Sequence, residues 1–134
     1  MGATPARQDA PLCPPNFRNP MLTDTEFITA ADRTLAAIGE ALDRALAASD
    51  ADLDWNLVDG ILEIECEDQS KLIVNRHTPN REIWLAARAG GSHFAARGGA
   101  WRDTRTGEEL GSALAARLTE QSGLAVTFPP LVAP

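Results

Sequence analysis

This chain is poor in cysteine and in long apolar segments. Its two cysteines, Cys13 and Cys66, are too few to form the disulfide framework of a small secreted domain. No apolar run approaches the roughly 20 residues of a membrane span or resembles the core of a signal peptide. These absences predict a soluble protein of the reducing cytoplasm that makes no membrane contact.

Basic side chains are also scarce. The 134 residues include 12 lysines and arginines against 19 acidic residues, which gives a net charge of −7 and a pI near 4.7. Binding to a phosphate backbone needs a net basic surface, so nucleic acid is not expected as a partner. A local stacking platform of Trp84 with Arg76, Arg81, Arg88 and Arg97 remains an alternative at this stage.

The negative charge is concentrated in one part of the chain. Residues 21–70 contain thirteen acidic side chains and two basic ones, Arg33 and Arg44, whereas residues 71–134 contain five acids and eight bases. Each like-charged pair on a helix costs a few tenths of a kcal/mol, which suggests that a ligand or partner uses the carboxylates. The simpler alternative is that they keep the protein in solution.

Length and composition indicate one folded domain with two unpacked ends. Residues 1–20 hold five of the nine prolines and show no hydrophobic period, so they are predicted to be a disordered lead or an extension upstream of a start at Met21. The proline-containing tail, residues 129–134, is likewise predicted to be disordered. The folded domain is therefore expected to span residues 21–128.

Hydrophobic periodicity predicts an α+β fold. A helix capped by Thr23 or Asp24 has one apolar face, formed by Phe27, Ala31, Leu35, Ile38, Leu42 and Ala45. Period-two alternation then predicts about six antiparallel strands, and a closing helix ends at Gly123. The expected architecture is a two-layer α-β sandwich with both helices on one face of the sheet, and its open face carries Trp84.

The sheet region resembles a known family. Residues 75–86, NRHTPNREIWLA, are similar to the signature segment of the frataxin family, and GGSHF at 90–94 with WRD at 101–103 continues the likeness to the bacterial, CyaY-type frataxins. The resemblance implies the same sandwich and a role in iron-sulfur cluster assembly through a cysteine desulfurase and its scaffold protein. No nucleophile, phosphate-loop or metal-triad motif suggests an enzyme.

The resemblance also implies an acidic ridge that binds iron on the first helix and first strand. Iron in either common oxidation state, Fe²⁺ or Fe³⁺, accepts hard oxygen ligands, and open carboxylates would bind it weakly and exchangeably. Arg44, Leu46 and Ala48 stand where bacterial relatives extend the ridge with further acids, which predicts either fewer bound ions or ions that are held more loosely. The predicted metal ligands, here called the acidic ridge, are Asp24, Glu26, Asp32, Glu40, Asp43, Asp50, Asp52 and Asp54.

A second predicted surface binds protein partners. Trp84 shares the open sheet face with Asn75 and His77, and aromatic anchors are enriched at binding hot spots. His77 replaces a glutamine usual in the family and adds a titratable group. The chain is expected to be a monomer that iron could assemble into an oligomer. A competing hypothesis is an acidic adaptor that docks a basic partner without a physiological role for iron.

Overall fold

The computed structural model describes residues 22–134, so the predicted lead of residues 1–20 and Met21 lie outside the described residues. A six-stranded antiparallel sheet has its strands in chain order from one edge to the other. The elements are α1 (Asp24–Ala47), β1 (Asp54–Val58), β2 (Ile61–Glu65), β3 (Lys71–His77), a 3-10 turn (Thr78–Asn80), β4 (Glu82–Ala87), β5 (Gly90–Arg97), β6 (Ala100–Asp103) and α2 (Leu110–Ser122).

Helix α1 begins at a capping box. The Thr23 hydroxyl oxygen accepts from the Glu26 N–H at 3.1 Å, and the Glu26 carboxylate accepts from the Thr23 N–H at 2.8 Å. This reciprocal pair satisfies two backbone donors at the helix end. The predicted apolar stripe is buried from Phe27 to Leu42, as its three- and four-residue spacing requires.

The sheet follows from alternation and from tight turns. Asp59 and Gly60 have φ values of 53° and 75°, the left-handed conformation that a two-residue hairpin turn requires between β1 and β2. Core-facing residues are buried, while their neighbours face the opposite side of the sheet. These buried side chains are Leu62, Ile64, Leu72, Val74, Ile83 and Leu85.

Both helices pack on the same face of the sheet, which confirms the predicted two-layer α+β sandwich. The Trp101 indole on β6 contacts the Phe27 ring of α1 edge-to-face, with ring centroids 5.9 Å apart. Its N–H donates a 2.9 Å hydrogen bond to the hydroxyl of Thr34. The buried polar group is thereby satisfied. Helix α2 ends at Gly123 as predicted. Within residues 22–134, neither helix combines the length and apolarity needed to cross a membrane.

The C-terminal tail does not have the predicted disorder. Leu131 and Ala133 are only 8% and 6% exposed, and Val132 between them forms a bridge to Ala100 at the β6 edge. The Ala133 N–H also donates to the Gly99 carbonyl at 2.9 Å. Prolines prevent regular structure here, but an extended segment can still direct alternate residues inward.

Asp103 organises the turn between β6 and α2. This carboxylate is 6% exposed and accepts hydrogen bonds from the N–H groups of Arg105, at 2.7 Å, and Thr106, at 3.1 Å. Burial alone would raise the pKa of Asp103, but the two backbone donors and the Arg105 charge hold it below its ordinary value. The ionised form is therefore the stabilising one.

Replacing Asp103 by Asn should lower the free energy of unfolding by about 1 kcal/mol at neutral pH, because charge-assisted hydrogen bonds are lost. A carboxylate with a lowered folded-state pKa contributes stability above its unfolded-state pKa, and that contribution disappears as pH falls through the folded-state pKa. Urea unfolding at several pH values should show the variant and the parent converging in acid. Glu108→Gln in the same turn is the control, and a pH-independent difference for Asp103→Asn would contradict this account.

Candidate metal-binding edge and aromatic sheet face

Three members of the acidic ridge already have partners. Asp24 pairs with the Arg81 guanidinium at 2.9 Å, and Asp32 pairs with that of Arg76 at 2.6 Å. The Glu26 carboxylate closes the helix cap. The two ion pairs fasten the N-terminal half of α1 to β3 and to the β3–β4 connection. All three carboxylates are therefore less available to a metal than the sequence alone suggested.

The C-terminal half of α1 contacts β1 through Trp55. The indole lies directly over Gly39, where a Cβ atom added to the glycine would come within 2.5 Å of the ring. Its N–H donates to the Asp43 carboxylate at 2.9 Å. Glycine at this helical position leaves room for the ring, and the hydrogen bond ties the ring to the ridge. Trp55 therefore adjoins the acidic surface and can report on it.

Carboxylates from β1 and β2 converge at the open end of the first hairpin. Antiparallel pairing places Asp54 directly opposite Glu65. Together with Asp52 and Glu67 they line a cleft of about 200 Å³, which we call the acidic cleft. Glu65 and Glu67 were not among the predicted ligands. The strand register, which brings Glu65 to Asp54, was the signal that could have identified them.

The remaining ridge members lie nearby in the chain but do not close around an ion. Glu40, Asp43, Asp50 and the cleft residue Asp52 are all exposed. Within residues 22–134, no three histidine, cysteine or carboxylate side chains form a compact metal-binding group. An open set of oxygen donors suits a hard cation that keeps most of its water, rather than a metal held in a closed site.

Cys66 lines the same cleft but is not suited to be its ligand. Its side chain is buried, and this burial raises the pKa of the thiol. The thiolate, which is the metal-binding and nucleophilic form, is thereby disfavoured. The chemistry of the acidic cleft is therefore that of carboxylate oxygen.

A stack of three rings stands on the open sheet face. The Trp84 indole lies between the imidazoles of His77 and His93. The ring centroids are 3.8 Å apart for His77 and 4.3 Å apart for His93, and the angles between the ring planes are 10° and 7°. The Trp84 N–H donates to the Glu82 carboxylate at 2.9 Å. Asn75 is the cross-strand neighbour of Trp84, so the structure places together the three predicted partner-binding residues. His93 was not among the predicted partner-binding residues, although it pairs directly with Trp84.

The sequence profile of the frataxin-like domain matches residues 20–124. The chain belongs to the frataxin-like family. This confirms the resemblance drawn from the sheet motifs. The iron-sulfur cluster assembly protein CyaY of Dechloromonas aromatica is 50% identical over 108 residues, which are 80% of this chain and 99% of the relative. The protein of the same name from Ralstonia nicotianae is 45% identical over 109 residues, covering 81% and 96% of the two chains.

Solved frataxin structures share the fold. A frataxin from Psychromonas ingrahamii superposes with a TM-score of 0.72 at 36% identity, covering 80% of this chain and 98% of that one. The trimeric frataxin of Saccharomyces cerevisiae, complexed with ferrous iron, gives a TM-score of 0.61 at 27% identity and covers 68% and 83%. The chain therefore shares the two-layer sandwich of these frataxins.

Proposed function

We propose that this protein binds iron and acts, without catalysing a reaction itself, in iron-sulfur cluster assembly. The observation that carries the proposal is the acidic cleft, where strand pairing brings Asp54 and Glu65 together beside the acidic ridge. The cluster-assembly role for which the bacterial relatives are named and the ferrous complex of the yeast frataxin support it. Iron is here the cargo, delivered or sensed in the cytoplasm.

The acidic cleft and the adjacent ridge residues would hold the ion through its water shell. We assign this binding to Glu40, Asp43, Asp50, Asp52 and Asp54 of the predicted set, joined by Glu65 and Glu67. Because no ready-made three-ligand group exists among the described residues, binding is weak and the ion exchanges readily. In this proposal Asp24, Glu26 and Asp32 chiefly stabilise α1 through their ion pairs and cap.

The open sheet face would bind the protein partners, a cysteine desulfurase and its scaffold protein. Cross-strand pairing aligns Val58, Ile61, Asn75, Trp84 and His93 in one row across five strands. Val58 and Ile61 are 60% and 48% exposed, unusually high values for large apolar side chains. A row without carboxylate, ammonium or guanidinium groups, and with exposed aliphatic groups and an aromatic ring, suits the centre of a protein interface. The acidic ridge would steer a basic patch of the desulfurase.

Titrating ferrous iron anaerobically should change the Trp55 fluorescence and raise the melting temperature, because iron would bind only the folded state. Asp52→Asn with Asp54→Asn should weaken that binding about tenfold, since affinity follows the number of charged ligands. The double variant Glu108→Gln, Glu109→Gln removes the same charge at a site away from the cleft, so its affinity for iron should equal that of the parent protein. An iron titration without effect on the parent protein would contradict iron binding.

A cluster-assembly assay with desulfurase and scaffold tests the role itself. Adding the protein at limiting iron should change the assembly rate, and the Asp52→Asn, Asp54→Asn variant should lose most of that effect. An iron donor raises the rate and a restraint on the desulfurase lowers it. The effect on the assembly rate could require these carboxylates while ferrous iron leaves the fluorescence and melting temperature of the free protein unchanged. That result would favour the acidic adaptor hypothesis over iron handling.

A further inference from the structure

Both faces of the Trp84 indole are covered within the protein itself. The neighbouring imidazoles of His77 and His93 lie nearly parallel to it, with ring centroids 3.8 and 4.3 Å away. These separations are van der Waals contact, so no further planar group can enter between the rings. What Trp84 can offer to a partner is therefore the rim of its ring.

The stack is also anchored along its edge. One Glu82 carboxylate oxygen accepts from the Trp84 indole N–H at 2.9 Å and lies 3.6 Å from Nδ1 of His93. On the other side, Nδ1 of His77 is buried and has no hydrogen-bond partner within the described part of the chain. Ring contact, rather than hydrogen bonding through that atom, therefore holds His77 against the indole.

We propose that His77 and His93 are positioning residues, which clamp Trp84 so that its ring edge inserts into a slot of the protein partner. This inference rests on the proposed function, in which the open sheet face is the docking surface. A side chain that is fixed before binding loses less rotamer freedom on association, which strengthens the complex without adding a contact. The clamp thus prepares Trp84 in the free protein.

The clamp also defines the chemistry of the partner. Aromatic edges carry partial positive charge, so they attract backbone carbonyl oxygens. Their carbon atoms are apolar, so they also pack against aliphatic side chains. The row that continues from Trp84 to Ile61 and Val58 extends the aliphatic contact. A nucleobase or a guanidinium needs an open ring face for stacking or cation–π contact, and Trp84 has none to give. The partner is therefore a protein slot lined by aliphatic groups and carbonyl oxygens.

Calorimetry against the scaffold protein tests the clamp with paired variants. His77→Ala and His93→Ala free one indole face each and should each weaken binding about tenfold, because Trp84 must then be ordered on association. His77→Phe and His93→Phe keep a stacked ring and should stay within about threefold of the parent. Trp84→Ala should weaken binding by about thirtyfold or more, as an interface anchor does.

The indole N–H resonance of Trp84 in the free protein gives a second measurement. It should shift and broaden in the Ala variants and remain sharp in the Phe variants, while circular dichroism checks that each variant is folded. If Trp84→Ala leaves affinity unchanged, the sheet face is not the docking surface and the proposed partner role fails with the clamp. If Trp84→Ala weakens binding but the His→Ala variants do not, the clamp alone is wrong.

Two further results would also overturn the clamp. Phe variants as weak as the Ala variants would mean that the imidazoles contact the partner directly instead of positioning the ring. Binding of single-stranded oligonucleotide with quenching that depends on Trp84 would mean that a ring face opens. Retained affinity in both Phe variants, together with loss in both Ala variants and a sharp indole resonance, supports the clamp.

Discussion

Deleting residues 129–134 is expected to lower the free energy of unfolding by about 3 kcal/mol, because it removes a buried leucine and uncovers the core beneath it. Leu131 is 8% exposed and packs near Gly111 of α2. With Leu110 and Trp101 it borders a cavity of about 400 Å³ between α2 and the tail. Without the tail, Trp101 and Leu110 would meet water.

Point variants in the tail separate packing from chain length. Leu131→Ala should lower the free energy of unfolding by about 2 kcal/mol, which is at the lower end of the costs measured for truncating buried leucines to alanine. Val132→Ser is the matched control, since this neighbour is 69% exposed and should change stability by less than about 0.5 kcal/mol. Urea unfolding of the truncated chain and the two point variants beside the parent protein provides the comparison. Equal stability of the truncated and full chains would show that the tail does not pack in solution.

Gly39→Ala is expected to lower the free energy of unfolding by about 2 kcal/mol, although alanine normally stabilises a helix interior relative to glycine by about 1 kcal/mol. The reversed sign comes from the Trp55 ring, whose nearest atom lies 2.5 Å from the added Cβ. The ring must move, which also strains its hydrogen bond to Asp43. Denaturant unfolding measures the change, and Trp55 fluorescence reports the displacement.

A double-mutant cycle isolates that clash. Trp55→Leu removes the ring, and in this background Gly39→Ala should cost little or become stabilising. Ala36→Gly, at an exposed site on the same helix, should cost about 1 kcal/mol and measures helix propensity alone. A stabilising Gly39→Ala in the parent protein would show that the indole does not lie over the helix.

Local periodicity was sufficient to predict most of the fold. The apolar stripe of α1 and the inward residues of the strands are fixed by spacing, and the structure buries them as expected. Composition alone gave the wrong prediction for the C-terminal tail, residues 129–134. Disorder was predicted from the proline-containing composition alone, whereas Leu131 and Ala133 follow a period of two that directs both side chains inward.

The candidate sites depend on contacts between distant segments, which periodicity cannot supply. The acidic charge of α1 identified this helix as part of a candidate site. The ion pair that occupies Asp32 could not be predicted in this way, because its partner Arg76 is 44 positions away in the chain. Glu65 enters the acidic cleft through the β1–β2 register, and His93 reaches Trp84 through the β4–β5 register. A shift of either register by one residue would send these side chains to the other face.

The two edges of the sheet are protected in different ways. Strand β6 is covered by the bridge from Val132 and by a bridge between Arg102 and Glu109, whereas β1 pairs only with β2 among the described strands. Natural proteins use charge to keep such an edge from pairing with another chain, and β1 begins at Asp54 beside Glu65. Cations that neutralise these carboxylates would therefore also lower the electrostatic barrier between copies, so metal loading and the tendency to self-associate should rise together.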